Sequence, residues 1–116
     1  MIYNLGHLTQ SPEQSTPGPI QDDEALLLFA LIRVTRIKRI LEFGSAYGYS
    51  ARNFIAAVGQ EGMVYSVDWG VEVQCSKMAD NHVVIFKNAA DLTPEDLGNE
   101  PVDLIFFDCH AYEACL

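Results

Sequence analysis

Apolar and polar residues follow one another along this chain in blocks that predict strands and helices in turn. Apolar, β-prone runs predict strands at residues 39–43, 63–68, 83–86 and 102–107, and an acidic residue lies at or near the carboxyl end of each. Helical spacing is found at residues 25–34, 50–58 and, more weakly, 71–80, and a short capped helix is predicted at 91–98 around Pro94. The helix at 25–34 is apolar almost all round, which predicts burial on several sides.

Strands that alternate with helices predict an α/β fold with a parallel sheet and flanking helices. The strands are nearly continuous apolar runs, as expected when both faces of a sheet are covered. Residues 1–20 are rich in Gly, Ser and Pro and are predicted to form an extended arm without regular structure, ahead of one domain at 21–116. The length of 116 residues and a hydrophobic fraction of 49% suit a single small domain.

Charge and cysteine content narrow the expected partners. Sixteen acids and seven bases give a net charge of −9, which disfavours nucleic acid and anionic membranes as partners. Arg33, Arg36, Lys38 and Arg39 could form a patch for nucleic acid, but cations that complement the end of a helix are the favoured interpretation. Three cysteines without metal-ligand spacing, together with the lack of a signal-peptide pattern or a membrane-length apolar run, predict a cytoplasmic protein.

The end of the first predicted strand carries the residues that best indicate a ligand site. Gly44 and Gly48 allow a close backbone approach, and the following helix offers amide donors, which favours a nucleotide-type site over a purely structural turn. Asp68 ends the second strand 24 residues after Gly44, close to the ~20 at which an acid commonly binds ribose hydroxyls, although an acid at a strand end is also common on surfaces. Glu42 would repel a pyrophosphate and favour a ligand with positive charge.

The sequence resembles class I S-adenosylmethionine-dependent methyltransferases of the small-molecule O-methyltransferase type. The residues that carry this resemblance are Glu42, Gly44, Gly48, Ser50, Asp68 and the segment 103–108 (Asp-Leu-Ile-Phe-Phe-Asp). The resemblance extends from about Pro19 to the C-terminus. It implies that the chain is the N-terminal half, about four strands, of a seven-stranded Rossmann-like fold. S-adenosylmethionine is then the cofactor, and a small molecule accepts the methyl group on an oxygen atom.

The resemblance also implies roles for individual residues. Glu42, Gly44 and Ser50 would bind the methionine portion of the cofactor, Asp68 the ribose, and Ala90 and Asp91 the two sides of the adenine. The complete cofactor-binding set that it implies is Glu42, Gly44, Ser45, Ala46, Gly48, Ser50, Asp68, Trp69, Ala90, Asp91 and Asp108.

Asp108 and His110 are the predicted catalytic residues. The tail at 108–114 resembles a subgroup with an Asp-x-x-His-x-Tyr-Glu pattern, here one residue shorter. His110 could act as a general base or serve only in packing. Asp108 could alternatively hold a divalent cation, for which no further oxygen ligands are evident. Catechol-type relatives use a lysine soon after this acid, but none follows Asp108 here. His7 and His82 are interpreted as isolated loop residues without a role.

Two other interpretations stay open. A nicotinamide-dependent dehydrogenase would share the fold, but Glu42 disfavours it. The chain could instead be a non-catalytic cofactor-binding or assembly module. In the seven-stranded fold the strand at 102–107 lies in the interior, whereas here it would be an edge, which a second copy or a partner chain could cover.

Overall fold

The described part of the chain folds as alternating strands and helices. The computed structural model describes residue 7 and residues 22–44, 48–68 and 76–107. Its elements, in chain order, are helix α1 (Asp22–Thr35), strand β1 (Arg39–Phe43), helix α2 (Tyr49–Val58), strand β2 (Met63–Asp68), strand β3 (His82–Phe86), 3₁₀ turns at Ala89–Asp91 and Pro94–Leu97, and strand β4 (Leu104–Phe107). Within these ranges no helix has the length and apolar character needed to cross a membrane.

The strands form one parallel sheet in the order β3-β2-β1-β4. The predicted Rossmann-like sheet with flanking helices is therefore confirmed. Because β1 lies between β2 and β4, Glu42 has Ser66 as its register partner on one side and Phe106 on the other. Residues in register in a parallel sheet point to the same face, so Glu42 and Ser66 share a face.

The observed strands begin and end close to the predicted positions, whereas the segments predicted as helices at 71–80 and 91–98 differ from the prediction. The strands at 39–43 and 63–68 are confirmed, β3 begins one residue before the prediction, and β4 begins at Leu104 instead of Val102. Residues 76–80 of the predicted helix at 71–80 are not helical, and residues 71–75 lie outside the described residues. The short capped helix predicted at 91–98 around Pro94 is confirmed in part: a 3₁₀ turn with a capping box at Thr93 and a C-cap at Gly98 spans Pro94–Leu97. Thr93, which precedes the proline, is extended at φ −120° and ψ 160° and separates this turn from the one at Ala89–Asp91.

Apolar side chains fill both sides of the sheet. On the helix side, Ile40 of β1 and Val64 of β2 pack with Phe54 and Val58 of α2 and with Ile32 of α1. On the other side, Leu41, Phe43, Tyr65 and Val67 pack with residues of β3 and of the 3₁₀ turns. The helix side also carries Glu42, so this carboxylate lies among buried apolar residues.

Helix α1 buries one stripe of residues. Ala25, Phe29 and Ile32 are buried, whereas Leu27 and Val34 are 70% and 80% exposed. The prediction of burial on several sides is therefore wrong, because within the described structure α1 contacts its neighbours through a single face. The helix ends at Thr35, and the next residue, Arg36, has a left-handed φ of 59°.

Candidate functional site

The carboxyl ends of the four strands lie along one edge of the sheet. The register pairs Phe43 with Val67 and with Phe107, and Asp68 with Phe86, so the residues that end the strands are neighbours. This is the edge at which open parallel sheets bind ligands. Most of the predicted site residues that the structure describes lie at this edge or directly after it.

Two glycines shape the turn between β1 and α2, which we call the glycine corner (residues 44–48). Gly44 has φ 90° and donates its amide to the carbonyl of Val67 at 2.9 Å. Gly48 has φ 85° and precedes the first residue of α2. Residues that carry a side chain rarely adopt these φ values, so the backbone conformation favours glycine at both positions. Ser45 and Ala46 lie outside the described residues.

Glu42 is the buried acid at the base of the glycine corner. Its side chain is 0% exposed. Ser50, on the first turn of α2, donates its hydroxyl to Oε1 of Glu42 at 2.6 Å. Ser66, the register partner on β2, donates to Oε2 at 2.5 Å. The structure thus brings the predicted residues Glu42 and Ser50 into direct contact, and it adds Ser66.

His82 extends this group of hydrogen bonds. It is 0% exposed, and its Nε2 lies 2.8 Å from Oγ of Ser66, while its Nδ1 accepts the backbone N–H of Met78 at 3.1 Å. Burial, reinforced by the positive charge of Lys77, holds the pKa of His82 below its usual range. The interpretation of His82 as an isolated loop residue is therefore wrong.

The sequence did contain a sign of Ser66 and His82. Both are polar residues next to or within strongly apolar strands, at positions that alternation places on the same face as Val64. A polar residue on a buried face needs a partner, so each could have been expected to bind another polar group. Only the strand register shows that Ser66 meets Glu42 and that His82 meets Ser66.

His7 also has contacts, contrary to its interpretation as an isolated residue. Its Nε2 lies 3.0 Å from Oδ1 of Asn53, and its ring is 5.4 Å from that of Phe29. Asn53 in turn donates its amide to the carbonyl of Ala25 at 3.0 Å. These contacts join residue 7 to both helices and are structural.

Asp68 and the residues after β3 occupy the adjoining part of the edge. Asp68 lies two residues after Ser66 and so on the face of Glu42, and its carbonyl accepts the amide of Lys87 at 3.1 Å. Ala90 and Asp91 are exposed in the first 3₁₀ turn, where Asn88 accepts the amide of Ala90 at 3.1 Å. The structure thus places these three predicted residues on neighbouring strand ends.

Trp69, Asp108 and His110 lie outside the described residues. In the ranges that are described, no three His, Cys, Asp or Glu side chains come together in a group that could hold a metal ion. The lysine nearest to the strand ends, Lys87, forms an ion pair with Asp96 at 2.9 Å. The hydrogen bond from Lys87 and a second one from the backbone amide of Thr93 lower the pKa of Asp96.

The donor set suits one class of ligand. A buried carboxylate with two hydroxyl donors, beneath a turn that only glycines can form, places negative charge where a ligand would approach the backbone closely. Such a site disfavours phosphate groups and favours a ligand that carries positive charge.

Comparisons with known proteins show the family to which the chain belongs. A family model described as "Methyltransferase domain" matches residues 41–116. No curated protein sequence matches the chain significantly. Among solved structures, the chain is similar to a putative caffeoyl-CoA O-methyltransferase from Staphylococcus aureus, with 28% identity and a TM-score of 0.64 over 75% of this chain and 45% of that one.

Two further structures were solved with the cofactor or its product. The O-methyltransferase TomG from Streptomyces achromogenes, in complex with SAM, has 23% identity and a TM-score of 0.67 over 84% of this chain and 48% of that one. The SAH-bound methyltransferase PaMTH1 from Podospora anserina has 19% identity and a TM-score of 0.66 over 89% of this chain and 46% of that one. The chain therefore spans a little under half the length of these proteins. Because the family model matches well over half of its residues, the chain belongs to the methyltransferase-domain family.

Proposed function

We propose that this chain forms the S-adenosylmethionine-binding part of a methyltransferase that methylates an oxygen atom of a small molecule. The observation that carries the proposal is the buried carboxylate of Glu42, held by Ser50 and Ser66 at the base of the glycine corner. S-adenosylmethionine bears an ammonium and a sulfonium, and both interact favourably with a carboxylate in a site of low dielectric constant. The solved relatives with SAM or SAH support the same ligand.

In this proposal the other residues at the strand ends each bind a different part of the cofactor. Asp68 accepts hydrogen bonds from the ribose hydroxyls, with Trp69 beside it, and Ala90 and Asp91 flank the adenine. Ser45, Ala46 and the glycines approach the methionine portion through their backbone. When bound, the cofactor supplies an electrophilic methyl group on sulfur.

The acceptor is held at the end of β4 in this proposal. Asp108 lies beside the reacting atoms, and His110 takes the proton from the acceptor hydroxyl, a role that the imidazole of histidine commonly fills in enzymes. The chain's own contribution to the rate is then alignment of the acceptor oxygen with the methyl group and removal of its proton. A cytoplasmic location is part of the proposal and is supported by three cysteines without disulfide-like spacing.

Calorimetric titration of the 116-residue chain with S-adenosylhomocysteine tests the ligand. We expect a micromolar Kd and no binding of a reduced nicotinamide cofactor. Glu42→Gln should weaken binding by about tenfold or more, because it removes the negative charge opposite the ammonium.

The matched control is Glu61→Gln, which removes an exposed carboxylate from the turn that precedes β2, at the opposite end of the sheet. It should leave the Kd unchanged. Equal weakening by both variants would show that net charge, and not the site, attracts the ligand. Failure of the unaltered chain to bind S-adenosylhomocysteine would contradict the proposal.

A second candidate function is a non-catalytic cofactor-binding module that a partner chain or a second copy completes along β4. The observation that favours it is the exposure of Ile105 and Phe107, at 48% and 45%. In the described part of the chain no strand lies on the outer side of β4. Large apolar residues on an open strand are typical of a surface that pairs with another chain.

A further inference from the structure

A continuous path of hydrogen bonds leads from the glycine corner to the start of β3. Glu42 accepts from Ser66, Oγ of Ser66 lies 2.8 Å from Nε2 of His82, and Nδ1 of His82 accepts the amide of Met78 at 3.1 Å. Glu42, Ser66 and His82 are each 0% exposed. Three buried polar side chains from three neighbouring strands thus share one chain of hydrogen bonds.

The donors fix where each proton lies. The backbone N–H of Met78 can only donate, so Nδ1 of His82 carries no proton. A neutral imidazole then holds its proton on Nε2, which donates to Oγ of Ser66. Because Ser66 receives this proton, its own hydroxyl proton points to Oε2 of Glu42, 2.5 Å away. Every bond of the path therefore runs toward the carboxylate.

We propose that His82 is a positioning residue for the ligand site, which acts through Ser66 to hold the carboxylate of Glu42 in one orientation at the glycine corner. Ser50 holds the other carboxylate oxygen at 2.6 Å, so two hydroxyls fix the plane of the carboxylate. Consecutive hydrogen bonds polarise one another, which strengthens the bond that Ser66 makes to Glu42. A carboxylate that is already oriented loses less conformational freedom when a ligand binds.

The lowered pKa of His82 agrees with this arrangement, because a histidine that stays neutral keeps Nδ1 available as an acceptor for Met78. His82 lies at the start of β3 and does not itself reach the strand ends, so its effect on the ligand passes through Ser66 and Glu42. The inference rests on the proposed function, because the ligand that Glu42 would bind is the cofactor named there.

Substitutions at His82 distinguish a role in positioning Glu42 from a role in general stability. His82→Leu removes the donor to Ser66, and we expect the Kd for S-adenosylhomocysteine to rise about fivefold to tenfold. His82→Gln provides an amide donor at a similar position and should return the Kd to within about twofold of the unaltered chain. Val83→Ala is the matched control. It truncates the next residue of β3 on the opposite face of the sheet and should lower stability without changing the Kd.

Two results would overturn the positioning role. One is a His82→Leu variant that binds S-adenosylhomocysteine as tightly as the unaltered chain, and the other is a His82→Gln variant as weak as His82→Leu. If His82→Leu does not fold, Ser66→Ala breaks the same path with the loss of one oxygen atom, and the same weakening is expected. Each titration is done well below the unfolding temperature of the variant.

A measurement without ligand distinguishes this inference from the proposed function. The ¹³C resonance of the Glu42 carboxyl group should shift in His82→Leu and stay close to its original position in His82→Gln and Val83→Ala. If the unaltered chain does not bind S-adenosylhomocysteine, the proposed function fails, and the carboxyl resonance alone decides the role of His82. A resonance that is the same in His82→Leu as in the unaltered chain would overturn that role.

Discussion

Buried polar side chains destabilise a fold unless each finds a partner, and Glu42, Ser66 and His82 meet this demand together. Each lies on a different strand, and each supplies what its neighbour lacks: the carboxylate accepts, the hydroxyl both accepts and donates, and the imidazole donates. Removal of any one breaks this path of hydrogen bonds. The stability of the sheet and the orientation of the candidate ligand site are therefore linked through the same three residues.

Stability should fall as the pH drops below about 6.5, the pKa of histidine in an unfolded chain. Burial and Lys77 lower the pKa of His82 in the fold, so on acidification the unfolded state takes up a proton first. Between the two pKa values the unfolded state binds more protons, and the free energy of unfolding decreases with decreasing pH. Above about 6.5 this contribution is constant.

Urea unfolding midpoints between pH 8 and pH 5 measure this effect. His82→Gln, which cannot titrate, should give a flatter dependence over the same range. Val83→Ala, which removes no titratable group, is the control, and it should leave the slope unchanged. An equal slope in the unaltered chain and in His82→Gln would show that other groups cause the acid sensitivity.

Two residues with positive φ lead to opposite predictions for stability, because one is a glycine and the other is not. Gly48, at φ 85°, should not tolerate a side chain, and Gly48→Ala is expected to lower the free energy of unfolding by about 1–2 kcal/mol. Arg36, at φ 59°, directly follows α1 in the conformation that glycine prefers, so Arg36→Gly should raise stability by up to about 1 kcal/mol. Thermal unfolding of both variants tests the pair, and a loss of stability in Arg36→Gly would contradict the interpretation.

Strand β1 organises the described fold because it contacts elements on both sides and at both ends. At its start, Asp103 accepts the backbone amides of Lys38 and Arg39, both at 3.0 Å, which joins the approach to β4 to the start of β1. These two bonds lower the pKa of Asp103. At its carboxyl end, β1 leads directly into the glycine corner.

Arg39 fastens the segment before β4 to the sheet. Its guanidinium donates to the carbonyls of Leu97 at 2.6 Å and Pro101 at 3.0 Å and to the hydroxyl of Tyr65 at 3.0 Å, with Glu100 3.2 Å away. Arg39→Met should lower the free energy of unfolding by about 1–3 kcal/mol, because it leaves these acceptors without their donor.

Urea unfolding measures this loss, and hydrogen exchange should show faster exchange of the amides of Asp96 and Gly98 in the second 3₁₀ turn. The neighbouring Lys38→Met is the matched control. Lys38 is exposed, and its contact with Asp103 uses the backbone amide, so little change is expected. Equal losses in the two variants would assign the effect to charge alone.

Large exposed apolar residues lie on both edge strands and on helix α1 of the described structure. Ile105 and Phe107 are about half exposed on β4, Phe86 is 63% exposed on β3, and Leu27 and Val34 are largely exposed on α1. The net charge of −9 opposes association, whereas these residues favour it. Which surface associates first depends on whether backbone pairing accompanies apolar burial, and only a strand edge offers both.

Both edge strands offer backbone pairing, and β4 carries two large exposed apolar residues where β3 carries one, so self-association should proceed through β4. Sedimentation of the unaltered chain at micromolar concentrations is expected to show dimers or larger species, and Ile105→Lys should shift it toward the monomer. Leu27→Lys, which places the same charge on α1, is the control and should leave the distribution unchanged. A stable monomer that turns over an acceptor would argue against the candidate module function.

The sequence by itself determined the order of strands and helices, the parallel sheet and the glycine corner. These features depend on residues close together in the chain: apolar runs at 39–43 and 63–68 specify strands, and Gly44 and Gly48 specify a turn. The same local information predicted a helix over residues 76–80, which are not helical. It also began the short capped helix at Asp91 instead of Pro94, because the residue before a proline favours the extended conformation.

The tertiary structure alone decided which polar groups surround Glu42. Ser50 and Ser66 follow it by 8 and 24 residues, and a shift of strand register by one residue would turn Ser66 to the other face. His82 reaches Ser66 because β3 pairs with β2, and its other ring nitrogen, Nδ1, accepts the backbone N–H of Met78. Local pattern indicates that a residue is buried, but strand pairing decides which side chain it meets.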